Sequence, residues 1–428
     1  MHHPFRTLCV ALVLLASLLS GASPLAAAAT GDPWSANEQV NAVSGQVTAA
    51  PALDVDGEGN AYVVWQDFRN QDDYGADIYF RMRTVTGTWT SEVRVNTDVV
   101  SATQSAPDIA VDGAGNAYIV WIDRRDGSDG EVYLRIRHAD GTWSAEEQVN
   151  TGSEALVAVP QESPAVAAAA DGTLYVVWVD HRKAAPHIFF RERRSDGTWT
   201  GAEIDLTDDP IAVARCFPDI AATAGGDLQV VWYEPCSAPD LYGRGRFGGT
   251  WERSVQINDP RYGGPWYASP PSVGMDDAGH AIAIWTDKQD NYYAIRTDRR
   301  TASTTWGDDE FVSDLVLTEQ AYPTVALSPS GWSWSAWHDM RNDAGNIYAS
   351  WTLNGTWSTN RQVNDDATSR AQTTPAIAVD DAGTAYLVWV DGRNAESADD
   401  RQRDLYFATA TITFDHRLYL PLVVRNRS

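Results

Sequence analysis

Pro107-Asp-Ile-Ala-Val-Asp-Gly-Ala-Gly-Asn-Ala-Tyr-Ile-Val-Trp121 is one of seven copies of a single pattern, and the recurrence decides the fold. A proline is followed fourteen residues later by a tryptophan at Pro51/Trp65, Pro107/Trp121, Pro164/Trp178, Pro218/Trp232, Pro271/Trp285, Pro323/Trp337 and Pro375/Trp389, with successive tryptophans 56, 57, 54, 53, 52 and 52 residues apart. Working outward from the second copy, Pro107 to Asp112 reads as a strand, Gly113 to Asn116 as a turn and Ala117 to Trp121 as a second strand. Glu131-Val-Tyr-Leu-Arg-Ile-Arg137 alternates with period two, and Asp140-Gly-Thr-Trp143 is a turn before Glu147-Gln-Val-Asn150. Four short strands per unit, with no helical periodicity, is the signature of a propeller blade.

The seventh copy ends after its third strand, Asp404 to Ala410, without the Gly-Thr-Trp turn and the Gln-Val-Asn strand. Those pieces stand at the other end of the chain, as Trp34-Ser-Ala-Asn-Glu-Gln39-Val40-Asn41. The expected fold is therefore an all-β, seven-bladed β-propeller closed by its N-terminal strand, which completes the last blade. Closure removes the open sheet edges on which other chains pair, and a solenoid has no need of such a permutation. Fourteen of the eighteen tryptophans hold repeat positions. A residue used in every blade is expected to pack between blades, where a buried aromatic is worth a few kcal/mol.

The ends are read separately. His2, His3 and Arg6, the apolar run Leu8 to Leu19 and the small residues Ala26 to Ala29 have the order of a secretory signal peptide, so residues 1–29 are expected to be removed, 30–412 to form the propeller and 413–428 to form a tail. An apolar run that short does not span a bilayer. The formal charge of −26 opposes binding to nucleic acid or to anionic lipid surfaces. The expectation is a secreted or cell-surface-associated, monomeric protein with no membrane insertion and no cofactor. Of the three cysteines, Cys9 leaves with the signal peptide. Cys216 and Cys236 flank the first hairpin of the fourth blade almost symmetrically about Gly226, so they are expected to form a disulfide, worth about 3 kcal/mol for a loop of this length in the chain-entropy view.

The segments between second and third strands open with Trp-x-Asp-x-Arg in five blades: Asp67/Arg69, Asp123/Arg125, Asp180/Arg182, Asp339/Arg341 and Asp391/Arg393. The fourth blade has Glu234 and Cys236 there, the fifth Asp287 and Gln289. Such a ring suits an anionic sugar or acid–base chemistry, but catalysis gives different residues different roles, so a motif in nearly every blade fits loop fixation better. Asp67, Arg69, Asp391 and Arg393 are kept as binding candidates because they open the long charged loops on either side of the closure seam. A second candidate breaks the symmetry: the linker Asn258-Asp-Pro-Arg-Tyr262-Gly-Gly-Pro-Trp266-Tyr267 offers Tyr262, Trp266 and Tyr267 for stacking on sugar rings or partner side chains. Asp54-Val-Asp56-Gly-Glu58-Gly-Asn60 has acidic residues at alternate positions but no glutamate at the twelfth, so it reads as a turn and no metal ligand is assigned.

Ser195-Asp-Gly-Thr-Trp199 and Asp140-Gly-Thr-Trp143 stand between third and fourth strands, where the Asp boxes of the sialidase superfamily stand, and the chain resembles that family over residues 34–410. The same turns are similar to those of fucose-binding propeller lectins. Sialidases of this type have six blades and an Arg-Ile-Pro motif; this chain has seven repeats and no such motif, so no catalytic residue carries over. The stretch Leu418-Tyr-Leu-Pro-Leu-Val-Val-Arg-Asn426 resembles a tail of exported proteins from Chloroflexus-like bacteria, which implies sorting or surface retention. The leading functional expectation is a module that binds glycan or protein at the loop face. A sialidase-like glycoside hydrolase and a structural surface protein are the alternatives.

Overall fold

The computed structural model describes residues 32–412 except 45, 48–50, 71–74, 99, 126–129, 152–158, 208–212, 261–263, 266–268, 290–291, 302–304, 330, 354 and 396–402. Seven antiparallel sheets, each built on consecutive hairpins, account for Trp34–Thr411. Blade two is representative: Gln104–Val111, Ala117–Asp123, Glu131–Arg137 and Glu147–Gln148 pair in that order. No described helix is long and apolar enough to cross a membrane.

The first hairpin explains the fourteen-residue spacing. Asp112 accepts hydrogen bonds from the backbone N–H groups of Ala114 and Asn116, from the Asn116 amide and from the Tyr118 hydroxyl, and Gly115 supplies the positive φ of the turn. Asp56 does the same for Glu58, Asn60 and Tyr62, so both of its oxygens serve the turn itself. The Gly-Thr-Trp turns work similarly, with Asp140 and Asp196 each accepting the N–H and hydroxyl of the threonine two residues on.

Second strands such as Ala117–Asp123 and Leu174–Asp180 are buried along their whole length, because neighbouring blades cover both faces. The hydrophobic clusters accordingly straddle blades: Tyr62, Phe80, Ile109 and Trp121 join blades one and two, and Trp65, Val388 and Phe407 join blades one and seven. The turn tryptophans pack edge-on against the preceding blade, Trp143 on Phe80 at 5.3 Å, Trp251 on Phe190 at 5.0 Å and Trp89 on Phe407 at 5.3 Å. Trp89, Trp143, Trp199 and Trp306 do not belong to the outer strand: each makes one bridge to the end of the third strand, and the outer strand begins a few residues later.

The ring closes as expected. Glu38–Gln39 pairs with Phe407 and Tyr406 of blade seven, Trp34 bridges Ala410, and Asn41 accepts the Leu405 N–H while its amide donates to Asp404. Glu38 also crosses to blade one, where it pairs with Arg83 at 2.8 Å and accepts the Trp89 indole N–H.

In blades two, three, four, six and seven the inner strand starts before its proline; in blades one and five it starts just after it, at Ala52 and Ser272. In five blades a bulge precedes the proline, and the residue before it has positive φ: Ala106, Ser163, Phe217, Tyr322 and Thr374, at 46–54°. Right-handed helical backbone is disfavoured before proline, and the bulge takes the left-handed alternative at about 1–3 kcal/mol per residue. In blade four the bulge places Cys216 opposite Tyr233, and Cys236 returns to donate its N–H to Ala214. The Cys216–Cys236 disulfide is formed, with Cα atoms 5.9 Å apart.

Candidate functional site

The Trp-x-Asp-x-Arg motif resolves into a staple between blades. In blade two, Asp123 accepts the Trp121 indole N–H at 2.8 Å, the Arg125 backbone N–H and the Arg125 guanidinium. Arg125 lies over Tyr133 at 4.5 Å and reaches Glu146, and Glu146 accepts the backbone N–H of Thr97 in the preceding blade. Equivalent chains run Asp67–Arg69–Glu92–Ala42, Asp180–Arg182–Glu203–Thr151, Asp339–Arg341–Asn360–Asp314 and Asp391–Arg393–Asn37–Asp365. Burial would raise the Asp123 and Asp339 carboxyls, but the arginine and the indole outweigh it and hold both below the usual range. Asp67 and Asp391 are fully buried inside these staples, so the structure places all four motif candidates at blade junctions, with Arg69 and Arg393 committed to ion pairs.

Where the motif departs, another residue supplies the cation. In blade four, Glu234 accepts the Trp232 indole N–H and pairs with the fully buried Arg215 at 2.9 Å. Arg215 sits where Gln104, Gln320 and Gln372 sit in blades two, six and seven, opposite the motif acid. In blade five, Asp287 pairs with Arg296, which lies over Phe311 at 4.0 Å and replaces the aromatic pad that Tyr133 provides in blade two. Sequence reasoning missed both arginines. The available signal for Arg215 was a Gln-to-Arg change in the same blade as an Asp-to-Glu change.

Blade five also breaks the symmetry of the loop face. Its central hairpin, Ala281–Gln289 and Tyr292–Arg300, is two residues longer on each side than that of blade two. Gly264–Pro265 pairs with Asp287–Lys288, and Val316 bridges Tyr293, which adds backbone to both flanks. Gly264–Pro265 lies inside the aromatic linker predicted as a binding element; Tyr262, Trp266 and Tyr267 lie outside the described residues.

The inner strands enclose a central cavity of about 420 Å³. The positions after the repeat prolines carry Ala52, Asp108, Ala165, Asp219, Ser272, Thr324 and Ala376, and Asp54 lies two residues beyond Ala52. Around the loop-face end of this channel the framework stays constant while the position between the motif Asp and Arg varies: Phe68, Arg124, His181, Pro235, Lys288, Met340 and Gly392. Blades two and three present charge. Arg124 donates to the Ser105 hydroxyl at 2.9 Å, and the His181 ring lies 3.6 Å from the half-exposed Glu162 carboxylate. Blade six presents Met340 and the cavity-lining Tyr322, whose ring meets His338 edge-on. Reading the motif for its fixed residues drew attention away from this variable position.

No protein-family model matches the sequence, and no curated protein is similar to it. Solved structures are. An ulvan lyase of a polysaccharide lyase family aligns over 86% of this chain and 95% of its own at TM-score 0.57 and 11% identity. A lectin from Burkholderia pseudomallei aligns over 84% and 98% at TM-score 0.54 and 12% identity. An α-L-arabinofuranosidase from Fusarium graminearum aligns over 75% and 98% at TM-score 0.52 and 13% identity. At these identities the likeness is one of fold, and it agrees with the seven sheets in making the chain a seven-bladed β-propeller.

Proposed function

We propose that this chain is an exported, glycan-binding propeller that takes its ligand on the loop face, across the mouth of the channel. The observation that carries the reading is the division between repeated and unrepeated positions. The repeated Asp–Arg pairs are consumed in blade-to-blade staples, whereas the position beside them differs in every blade. A polar arc, Arg124, Glu162 and His181, faces an apolar arc that includes Tyr322 and Met340. That layout suits a sugar, whose hydroxyls need directional donors and acceptors and whose C–H face stacks on apolar side chains. The aromatic linker of blade five would extend the surface. The Cys216–Cys236 disulfide supports export, and lectin, lyase and glycosidase relatives of the fold support a glycan over a protein ligand.

Residues 30–428 tested on a broad glycan array should bind a restricted set of oligosaccharides, and Arg124→Ala, Tyr322→Ala and Trp266→Ala should each weaken that binding without lowering the melting temperature by more than a few degrees. An empty array would overturn the glycan reading. Binding untouched by all three substitutions would place the site elsewhere. The Glu162–His181 pair favours one second reading, a glycan-cleaving enzyme that uses the pair for proton transfer. Incubation of the bound oligosaccharides with the protein, followed by chromatography, distinguishes it: cleavage lost in Glu162→Gln supports the enzyme, intact sugar supports the binding module.

A further inference from the structure

We propose that Asp298 and Asp309 form a site for one hard divalent cation at the junction of blades four and five, in the place that guanidinium groups fill in other blades. The comparison among blades carries the inference. In blades one, two and three an arginine on the third strand faces a glutamate before the outer strand, one residue beyond the paired ladder: Arg81 and Glu92, Arg135 and Glu146, Arg191 and Glu203. The same register sets Arg244 opposite Ser254 in blade four, Ser350 opposite Asn360 in blade six and Ala408 opposite Asn37 in blade seven. In blade five it sets Asp298 opposite Asp309. Of the seven blades only this one places acid against acid, and like charges directly opposite are destabilising.

The arginines also reach back to the preceding blade. Arg81, Arg135, Arg191 and Arg244 donate to the carbonyls of Val40, Val95, Val149 and Leu206. Ile257 holds the corresponding position before blade five, and an ionised Asp298 has no donor to offer it. Asp298 is 1% exposed. Its Oδ1 accepts the backbone N–H groups of Arg299 at 2.6 Å and Gly307 at 2.8 Å, while its buried Oδ2 has no hydrogen-bond partner. A buried carboxylate oxygen left in that state is costly unless a cation meets it.

Asp309 is short of positive charge for a second reason. Arg69, Arg125 and Arg182 pair with Glu92, Glu146 and Glu203 in their blades, whereas Gln289 stands at that position in blade five. Asp309 accepts the Asp259 N–H at 3.2 Å and 3.0 Å. Arg296 acts on it from nearby, but that guanidinium is paired with Asp287 at 2.5 Å. Asp308 and Asp259 add negative charge around the two. Burial raises Asp298 to about 7 and Asp309 to about 6, in keeping with carboxyls that lack a counter-charge. The donors are all oxygen, which suits calcium or magnesium rather than a transition metal. No three acidic, histidine or cysteine side chains gather as a metal site among the described residues, so the side chains supply two carboxylates, and backbone carbonyls and water complete the shell. A cation there would replace both missing guanidiniums. It would also fix the carboxylate that holds Asp259, at the start of the aromatic linker.

Scanning calorimetry of the EDTA-treated protein tests this, with calcium chloride and magnesium chloride titrated separately. The wild-type midpoint should rise by about 3 °C at a free cation concentration about a hundredfold above Kd. Asp298→Asn should lose that rise. Asp298→Arg, which restores the residue of blades one to four, should lose it too. No rise with either cation in the wild type overturns the site, and so does a rise of equal size in Asp298→Asn, which would assign the binding to other acidic groups of the chain. If Asp298→Asn does not fold, Asp298→Arg decides by the same comparison.

Discussion

Replacing Arg125 by alanine removes the centre of one staple while leaving its ends. Asp123 would keep its indole and backbone donors but remain a fully buried carboxylate with no cation. Breaking a buried ion pair from one side costs about 3–5 kcal/mol, and loss of the guanidinium over Tyr133 adds up to about 1 kcal/mol. Removing Asp123 as well abolishes the stranded charge and leaves chiefly an unsatisfied indole N–H, at about 1–3 kcal/mol. The double variant should therefore be no less stable than Arg125→Ala, and the two single losses should exceed the double loss by about 2 kcal/mol or more. The unit Trp34–Thr411 has 378 residues. At about 2.1 cal/mol/K of unfolding entropy per residue, 4 kcal/mol corresponds to a fall of about 5 °C at the midpoint. Scanning calorimetry of the wild type, both singles and the double measures all of this. A drop under about 1 °C for Arg125→Ala, or strictly additive losses, would refute the staple and return the motif arginines to the pool of ligand-binding groups.

Three further outcomes follow from the same geometry. Cys216→Ala/Cys236→Ala should lose about 3 kcal/mol, or about 4 °C, and a midpoint unchanged by the substitution or by reductant would show that the disulfide adds nothing beyond Arg215–Glu234 in that blade. Arg215→Gln restores the residue of the other blades but strands Glu234, so it should cost several kcal/mol alone and much less together with Glu234→Gln, read by denaturant titration. Below about pH 4 stability should fall: burial is outweighed by donor pairing at Glu38, Asp123 and Asp339, these carboxyls are depressed, and the stability they provide above the unfolded value is lost as pH drops through the folded one. Asp54, Asp108 and Asp219, which burial raises above the ordinary aspartate value, act in the opposite sense, so the melting temperature should peak near about pH 4, and a monotonic rise from there to pH 8 would contradict the pair of assignments.

Much of the fold was legible because its forces are local or repeated. The Pro-to-Trp spacing is set within one hairpin, by Asp112 and its donors, so seven hairpins repeat one distance. Closure was legible because the missing strand of blade seven stands in recognisable form at Trp34 to Asn41. The disulfide followed from hairpin symmetry, although the bulge at Phe217 shifts the register on which that symmetry was counted. What stayed hidden depends on contacts between strands far apart in the chain. Arg215 reads as an arbitrary residue until Glu234 is seen across the ladder. Asp108 and Asp219 are separated by two blades and meet only because the ring brings inner strands together. Glu146 acquires its role from Thr97 of another blade, and nothing in either segment announces the pairing.

The same distinction bears on where function lies. A closed ring needs one solution for blade contact, repeated as often as there are blades, and the staple is that solution: five copies by Asp and Arg, while in blade four Arg215 meets His187 of blade three and in blade five Asp309 accepts the Asp259 N–H of the preceding linker. Because the substitutes preserve the contact, departure from the motif is not by itself a mark of function; Glu234 and Cys236 are as structural as Asp123 and Arg125. A ligand is not sevenfold symmetric, so the groups that read it must differ from blade to blade. Phe68, Arg124, His181, Lys288 and Met340 differ in that way at one repeat position, and the lengthened hairpin of blade five differs in backbone. Substitutions at these sites should therefore change recognition while leaving the melting temperature within a few degrees of the wild type, the reverse of the pattern expected for the staples.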